Sequence, residues 1–436
     1  MTWSKGRNRG NAHHFHHCLI RRPAPVQLRP PDGRLEHSVN QQTFAMRTCV
    51  LSTMAAVLGL LPLQILAQTH SGFPVDIIAG PSPQPVMADG RIRLLYELHL
   101  TNFAPLSLEL TQVEVWGEGS SPVASYKAPA LQGMVIPVEK LSSASSPTEA
   151  KGSGTIGEGH AALIFVDLTL DAAVPVPHEL HHKFSFSVAR KNKPTYETAL
   201  DGPAVIVVSN RVPVLHAPLR GSSWVAFNAL GAEDHRRSLN AVDGRERIPQ
   251  RFAIDWGQLG PDGRLRHGSG QSNTDFYGYG AEVLAVADGH IADAKDGIPE
   301  NGGTTERNAR AITLENVLGN YLVLQFGDAQ FADYAHLQPG SLRVKVGDPV
   351  KAGQVLALLG NSGNSDEPHL HFQVVDRASP MASEGIPYEI ETFTQRGLIP
   401  DSELLEKGQA WQPGTGDTQV IHHREFPVNN AVISFP

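Results

Sequence analysis

The sequence predicts an all-β protein in two parts: an antiparallel β-sandwich of the immunoglobulin-like kind, followed by a second β-sheet domain. Three observations carry this. Apolar residues alternate with period two from Phe73 to about Asn210. Shorter, glycine-punctuated apolar runs continue from about Val212 to Phe393. No stretch of the sandwich shows the long 3.6-residue period of an amphipathic helix. The composition agrees: 41 glycines and 32 prolines in 436 residues supply many turns, and only 18% of residues are charged.

The strands follow in order. In IRLLYELHL, Ile92, Leu94, Tyr96, Leu98 and Leu100 share a face. In HAALIFVDLTL the matching set is Ala162, Ile164, Val166, Leu168 and Leu170. KFSFSV places Phe184, Phe186 and Val188 together, and AVIVV (Ala204 to Val208) reads as a short buried strand. The segment Leu141 to Gly159 is rich in Ser and Gly and reads as a solvated loop. In the second part, hairpins are expected around Asp288-Gly289 and Gly327-Asp328, with further turns at Gly347-Asp348 and Ala352-Gly353. The expected limits are 73–210 for the sandwich and 211–395 for the second domain, with 396–436 as a loosely packed C-terminal tail.

The N-terminus needs a separate reading. Residues 46–67 have the form of a secretory signal peptide. Arg47 supplies the positive start, Val50 to Leu66 the apolar run, and Ala67 the cleavage residue. The run is too short for a membrane span, so no stable span is expected after cleavage. The expected location is periplasmic or extracellular. Residues 1–45 read as a disordered or misassigned extension; their His13 to His17 tract has a metal-binding composition. Both cysteines, Cys18 and Cys49, precede the cleavage point. A mature chain would hold no disulfide, thiolate ligand or cysteine nucleophile. Cleavage also removes eight cations and two carboxylates, so the net charge of −8 becomes −14. Such acidity argues against nucleic-acid binding.

The chemistry lies in the histidines, of which there are 20. HELHH (His178 to His182) matches the H-E-x-x-H expression of zinc proteases. That chemistry needs both histidines one helical turn apart. Here Pro175 and Pro177 deny a helix leading in, and the strand KFSFSV follows. In extended chain, at about 3.3 Å per residue, His178 and His182 cannot chelate one ion. A polar turn entering a strand is the expectation.

PHLHF offers another geometry. Positions i and i+2 of a strand face the same way, so His369 and His371 can both enter one groove while Leu370 is buried behind. The surroundings read YAHLQPGSLRVKVGDPVKAGQVLALLGNSGNSDEPHLHFQV. From about Phe252 to Val374 this resembles the lysostaphin-type (LytM) zinc metalloendopeptidases of peptidoglycan, whose pattern is Y-x-H-L, V-K-x-G-D-x-V-x-x-G-Q and P-H-L-H-F. The resemblance implies a lysostaphin-type β-sheet peptidase domain, zinc (Zn2+) as cofactor and peptide cross-links of peptidoglycan as substrate. It implies that His371 is a zinc ligand. It also implies that His336 and His369 are catalytic residues flanking a metal-activated water. Zinc lowers the pKa of water towards neutrality, which suits attack on an amide.

The family's remaining ligands come from H-x-x-x-D, here matched by RFAIDW. Asp255 fits the carboxylate, but Arg251 stands in the histidine position. A guanidinium cannot ligate zinc. Two unit charges about 4 Å apart repel by roughly 4 kcal/mol at an effective dielectric near 20, and a dication doubles this. Either Arg251 points away and another residue ligates, or no zinc binds. His235, in the preceding loop, is the candidate replacement; His267 and His290 are weaker choices. If no zinc binds, the expected alternative is a catalytically degenerate LytM-like module that binds cell wall or regulates a wall hydrolase. VKVGDPVKAGQVLALLG also resembles half of a biotinyl or lipoyl carrier, but NSGNSDEP presents no lysine at its tip. The sandwich is expected to position the peptidase domain or to bind an envelope protein partner.

Overall fold

Apolar residues on alternate positions leave each sheet one face to hide, and here two sheets hide theirs against each other. The computed structural model describes residues 72–143, 152, 154–303, 311–414 and 419–436. The extension 1–45, the signal-peptide reading, the His13 to His17 tract and both cysteines lie outside the described residues. Among the described residues, regular structure is nearly all β.

The first sandwich sheet has the order β1 (Val75–Ala79), β3 (Arg91–Asn102), β8 (Ala161–Asp171) and β6 (Val135–Pro137), with β2 (Val86–Ala88) also on β3. The second runs β10 (Lys193–Asp201), β9 (Glu179–Arg190), β4 (Leu108–Trp116) and β5 (Pro122–Lys127). Within it β11 (Val205–Ile206) joins β9 and β7 (Thr155–Ile156) joins β4. Leu94, Tyr96, Leu98 and Leu100 of β3 meet Phe184, Phe186 and Val188 of β9 in one core. Each such burial contributes about 1.5–3 kcal/mol. The loop expected over Leu141–Gly159 begins inside a short helix, Val138–Ser143, because Leu141 packs on a cluster containing Ile136 and Leu163.

HELHH runs into β9 as extended chain. His182 points into the sandwich. Its Nδ1 donates to the Pro203 carbonyl at 3.1 Å, so Nε2 accepts from the Tyr96 hydroxyl at 2.8 Å. The ring is a buried neutral core histidine.

The outer face of the first sheet departs from simple alternation. Leu95 joins the core of the C-terminal half, and Leu163 and Phe165 pack with Ile248. Glu97 is 1% exposed. Arg251 reaches it, donating from Nε to both carboxylate oxygens at 3.1 Å and from Nη2 at 2.8 Å. The same guanidinium donates to Glu384 at 3.0 Å and to the Gly385 carbonyl at 2.9 Å. Two main cores are present, but Val86, Ala88 and Leu95 join the C-terminal one, and residues 69–436 form one compact unit.

The C-terminal half is built on one long sheet. Its order is β12 (Val214–Leu215), β24 (Glu389–Leu398), β26 (Ala431–Ser434), β13 (Trp224–Phe227), β16 (Ile254–Gln258), β23 (Leu370–Val375), β20 (Gln330–Leu337), β19 (Asn320–Gly327), β18 (Gly289–Lys295) and β21 (Pro349–Val350). β25 (Val420–Glu425) pairs with β24. Two small ribbons, β14 (Asn240–Val242) with β15 (Arg245–Arg247) and β17 (Glu282–Leu284) with β22 (Val355–Leu358), complete it.

Two expectations need correction. The hairpin around Asp288-Gly289 does not form: β17 pairs with β22, whereas β18 pairs with β19 and β21. Val283 to Val286 are buried without alternation, so the chain crosses between sheets there instead of folding back. The hairpin at Gly327-Asp328 does form, between β19 and β20. Nor is 396–436 a loose tail. Ala431, Val432 and Ile433 are buried, and β26 inserts between β24 and β13. Trp411 and Leu405 pack with Ile399, Leu259 and Leu265 in a satellite cluster.

Burial holds the His182 pKa down to about 4, against about 6.5 in an unfolded chain. The unfolded chain therefore binds the extra proton between these values. The stability is full above about pH 6.5 and is lost as pH falls towards 4, by on the order of 3 kcal/mol. Denaturation in chelator at pH 7 and 4.5 should show a steeper loss for the native protein than for His182→Gln; equal losses would contradict the assignment. Separately, Glu97→Ala leaves Arg251 short of its main partner and should cost about 3–5 kcal/mol. Urea unfolding followed by emission of the buried Trp224 and Trp256 measures it.

Candidate metal centre

Strand pairing sets the first two groups. Asp255 on β16 lies directly opposite His371 on β23, and His371 Nδ1 is 2.9 Å from Asp255 Oδ1. The third comes from elsewhere. His235 sits on a three-residue 3-10 turn, His235–Arg237, and its Nε2 is 3.0 Å from Asp255 Oδ2. One ligand atom from each of His235, Asp255 and His371 lies within 4.8 Å of the others. Asn228 donates to Asp255 Oδ2 at 2.8 Å. The geometry brings together His235, Asp255, His336, His369 and His371, and leaves out Arg251, His267 and His290. His267 and His290 are exposed, and Arg251 is turned into its carboxylate cluster.

His336 lies in β20 at the register shift between the Leu322–Tyr334 and Asn320–Leu337 pairs, with φ +63°, a left-handed conformation that costs a non-glycine residue about 1–3 kcal/mol. Two bonds hold it: its backbone N donates to the Leu318 carbonyl at 3.0 Å, and Nδ1 donates to the Ser362 carbonyl at 2.7 Å. Nε2 is left as the lone-pair nitrogen. Burial, then the neighbouring His369 and His371, pushes the His336 pKa well below its ordinary value. His369 donates from Nδ1 to the Glu367 carbonyl at 2.8 Å, and its Nε2 is 3.4 Å from Asp255 Oδ1. Burial opposes charge on His369, but Asp255 outweighs it and the pKa is pushed up to about 9. Asp255 is held well below the carboxylate range: burial would raise it, and His235 and His369 overcome this. The His336 and His369 ring centroids are 4.8 Å apart.

These groups line a cleft of about 810 Å3. One wall carries Glu403, Glu406 and Lys407, from the segment expected to be a loose tail. Arg264 and Arg266 hold that wall by donating to the Gly408 and Glu406 carbonyls.

The donor set fits zinc. Ligands at about 2.0–2.1 Å in a tetrahedron stand roughly 3.3 Å apart. His235 Nε2 and His371 Nδ1 stand 3.0 and 2.9 Å from different oxygens of Asp255, and one ligand atom of each residue lies within 4.8 Å of the others, close enough to share one ion. Two imidazoles and a carboxylate leave one position of a tetrahedron open. The guanidinium that would repel a dication is not among the residues lining the cleft.

Three contributors were missed in the sequence. Gln373 accepts from His371 Nε2 at 3.1 Å and donates from Nε2 to Asp333 Oδ2 at 2.8 Å. This leaves the Nδ1 lone pair of His371 facing Asp255 and His235. Asp333 is buried, and burial raises its pKa well above the ordinary value. Ser362 belongs to the NSGNSDEP turn, read as a tip but buried at Asn361, Ser362 and Ser365. A signal for Gln373 existed: in HLHFQVV it is the polar residue two places after His371, hence on the same face.

Residues 271–383 match the model of peptidase family M23. The match contains His336, His369 and His371, while His235 and Asp255 precede it. Among curated relatives, the peptidoglycan DD-endopeptidase ShyA of Vibrio cholerae serotype O1 is 40% identical over 63 residues, 14% of this chain and 14% of that protein. The glycyl-glycine endopeptidase ALE-1 of Staphylococcus capitis is 36% identical over 109 residues, 24% of this chain and 25% of that protein. The matches thus span about a seventh to a quarter of these relatives' length. The solved catalytic domain of lysostaphin from Staphylococcus simulans is 21% identical, with a TM-score of 0.21, and the match covers 39% of this chain and 94% of that one.

Gln373→Leu should lower zinc affinity about 10–100-fold, because the His371 ring loses the acceptor that selects its tautomer. Competition with a chromogenic chelator checks this; an unchanged affinity would remove Gln373 from the site.

Proposed function

We propose that this chain, which carries a peptidase family M23 domain, is a secreted or periplasmic zinc metalloendopeptidase that hydrolyses peptide cross-links of peptidoglycan. The convergence of His235, Asp255 and His371 beside His336 and His369 carries the reading. The substrate class follows from the relatives, which are by name endopeptidases of peptidoglycan or of glycyl-glycine bonds.

His235, Asp255 and His371 would hold the ion. When bound, zinc supplies Lewis acidity and brings the pKa of water towards neutrality. His336, neutral and with Nε2 free, is placed to accept a proton from the attacking water. His369, with Nδ1 anchored on Glu367, is placed to donate from Nε2 to the oxygen of the reacting carbonyl as charge develops there. The two rings share one end of the cleft, so one proton can be taken and another given without a large movement.

The alternative, a degenerate module that regulates a wall hydrolase, drew its strength from Arg251. Spending that guanidinium on Glu97 and Glu384 favours the enzyme. Among the described residues no helix is long and apolar enough to cross a membrane. The first sandwich sheet is partly covered by the C-terminal half, which leaves the second sheet the more open of the two to an envelope protein partner.

Elemental analysis should find about one zinc per chain in the native protein and much less in His371→Ala and His235→Ala. Hydrolysis of purified peptidoglycan, followed by newly released amines, should stop with chelator. It should fall by about 10²–10⁴-fold in His336→Ala. Full activity in metal-free protein would sink the proposal.

A further inference from the structure

We infer that the β-sandwich is itself part of the metal centre, holding His235 in place through Arg236 and Arg237; this rests on the reading of His235 as a zinc ligand. Asp255 and His371 are placed by a ladder inside the peptidase sheet. His235 stands outside that ladder: beyond its contacts with Asp255 and the Ala253 backbone, its position depends on the turn that carries it. It lies on a 3-10 turn of three residues, too short to hold its own shape.

What fixes that turn is the first sandwich sheet and its edge. Arg236 donates from Nη2 to the Val166 carbonyl at 2.5 Å, and its Nη1 stands 3.8 Å from Asp167. Its guanidinium carbon is 5.7 Å from the centre of the Phe165 ring. Arg237 donates from Nη2 to the Gly133 carbonyl at 2.5 Å and closes the turn on itself by pairing with Glu233. Both side chains are nearly buried, at 11% and 5% exposure. Further along, Leu239 and Ile248 pack on Leu163 and Phe165, and Arg251 pairs with Glu97. The segment from 235 to 251 is therefore stitched to the sandwich at both ends. Burying two guanidiniums is costly, the more so because Arg236 Nε is left without a hydrogen-bond partner, so a mere connecting loop gains little from it. Their service is to aim the imidazole that precedes them.

Two ligands thus come from the peptidase sheet and the third is held by the sandwich. Loosening the Arg236 and Arg237 contacts should weaken metal binding specifically. Arg236 and Arg237 are positioning residues, and zinc affinity is the readout that separates this role from simple structural support.

The test uses the full chain and zinc alone, in competition with a chromogenic chelator. Arg236→Gln and Arg237→Gln are each expected to lower zinc affinity about 10–100-fold, with Arg236→Lys falling less because it keeps a cationic donor. Phe186→Leu, which loosens the sandwich core away from the turn, should leave affinity unchanged. Circular dichroism in chelator should match across the set. Arginine variants that lose no more affinity than Phe186→Leu would overturn the inference and leave the proposed function standing. A native protein that takes up no zinc would overturn the proposed function, and the inference with it. If Arg236→Gln does not fold, Arg236→Lys and Arg237→Gln give the same decision.

Discussion

A carboxylate buried in the middle of a sheet must be answered, and the site is organised around answering the one at Asp255. His235, His369 and Asn228 converge on its two oxygens, and the Nδ1 lone pair of His371 faces one of them. Burial disfavours the charge on Asp255, and His235 and His369 offset that cost. The same convergence creates the nitrogen–oxygen–nitrogen donor set. The groups that answer Asp255 and the cluster proposed to hold a dication thus overlap.

The rest of the site is a set of restraints on imidazole rings. His336, His369 and His371 each commit one nitrogen to an acceptor: the Ser362 carbonyl, the Glu367 carbonyl and Gln373. Each commitment chooses a tautomer and directs the other nitrogen into the cleft. The strained backbone of His336 belongs to this scheme, since a left-handed residue at the end of β20 turns the ring towards its neighbours instead of along the sheet. The NSGNSDEP turn supplies the Ser362 and Glu367 carbonyls and lies within reach of the reacting groups.

Arg251 and Glu97 show why domain limits drawn from hydrophobic pattern alone were incomplete. There are two main apolar cores, but Val86, Ala88 and Leu95 of the N-terminal half belong to the C-terminal one. A charged residue in a strand ordinarily marks the solvent face, yet Glu97 in IRLLYELHL is buried. Its burial depends on a surface contributed from residue 248 onwards, which no local window contains. The C-terminal strand was missed for a related reason. AVISF is too short to announce itself by period, and its place in the sheet comes from the partners on either side.

Strand period is a local property, and the sequence was enough for what depends on it. It put His369 and His371 on one face and denied HELHH its helix. Gln373 was within reach of the same argument. What the sequence could not decide is which residue completes the donor set. Asp255 and Arg251 are four residues apart, yet the arginine turns to a carboxylate more than 150 positions earlier, and His235 arrives from a different turn. That choice depends on which long side chains find complementary charge across a tertiary contact. Only the folded chain, with the sandwich packed on the peptidase sheet, brings those charges together.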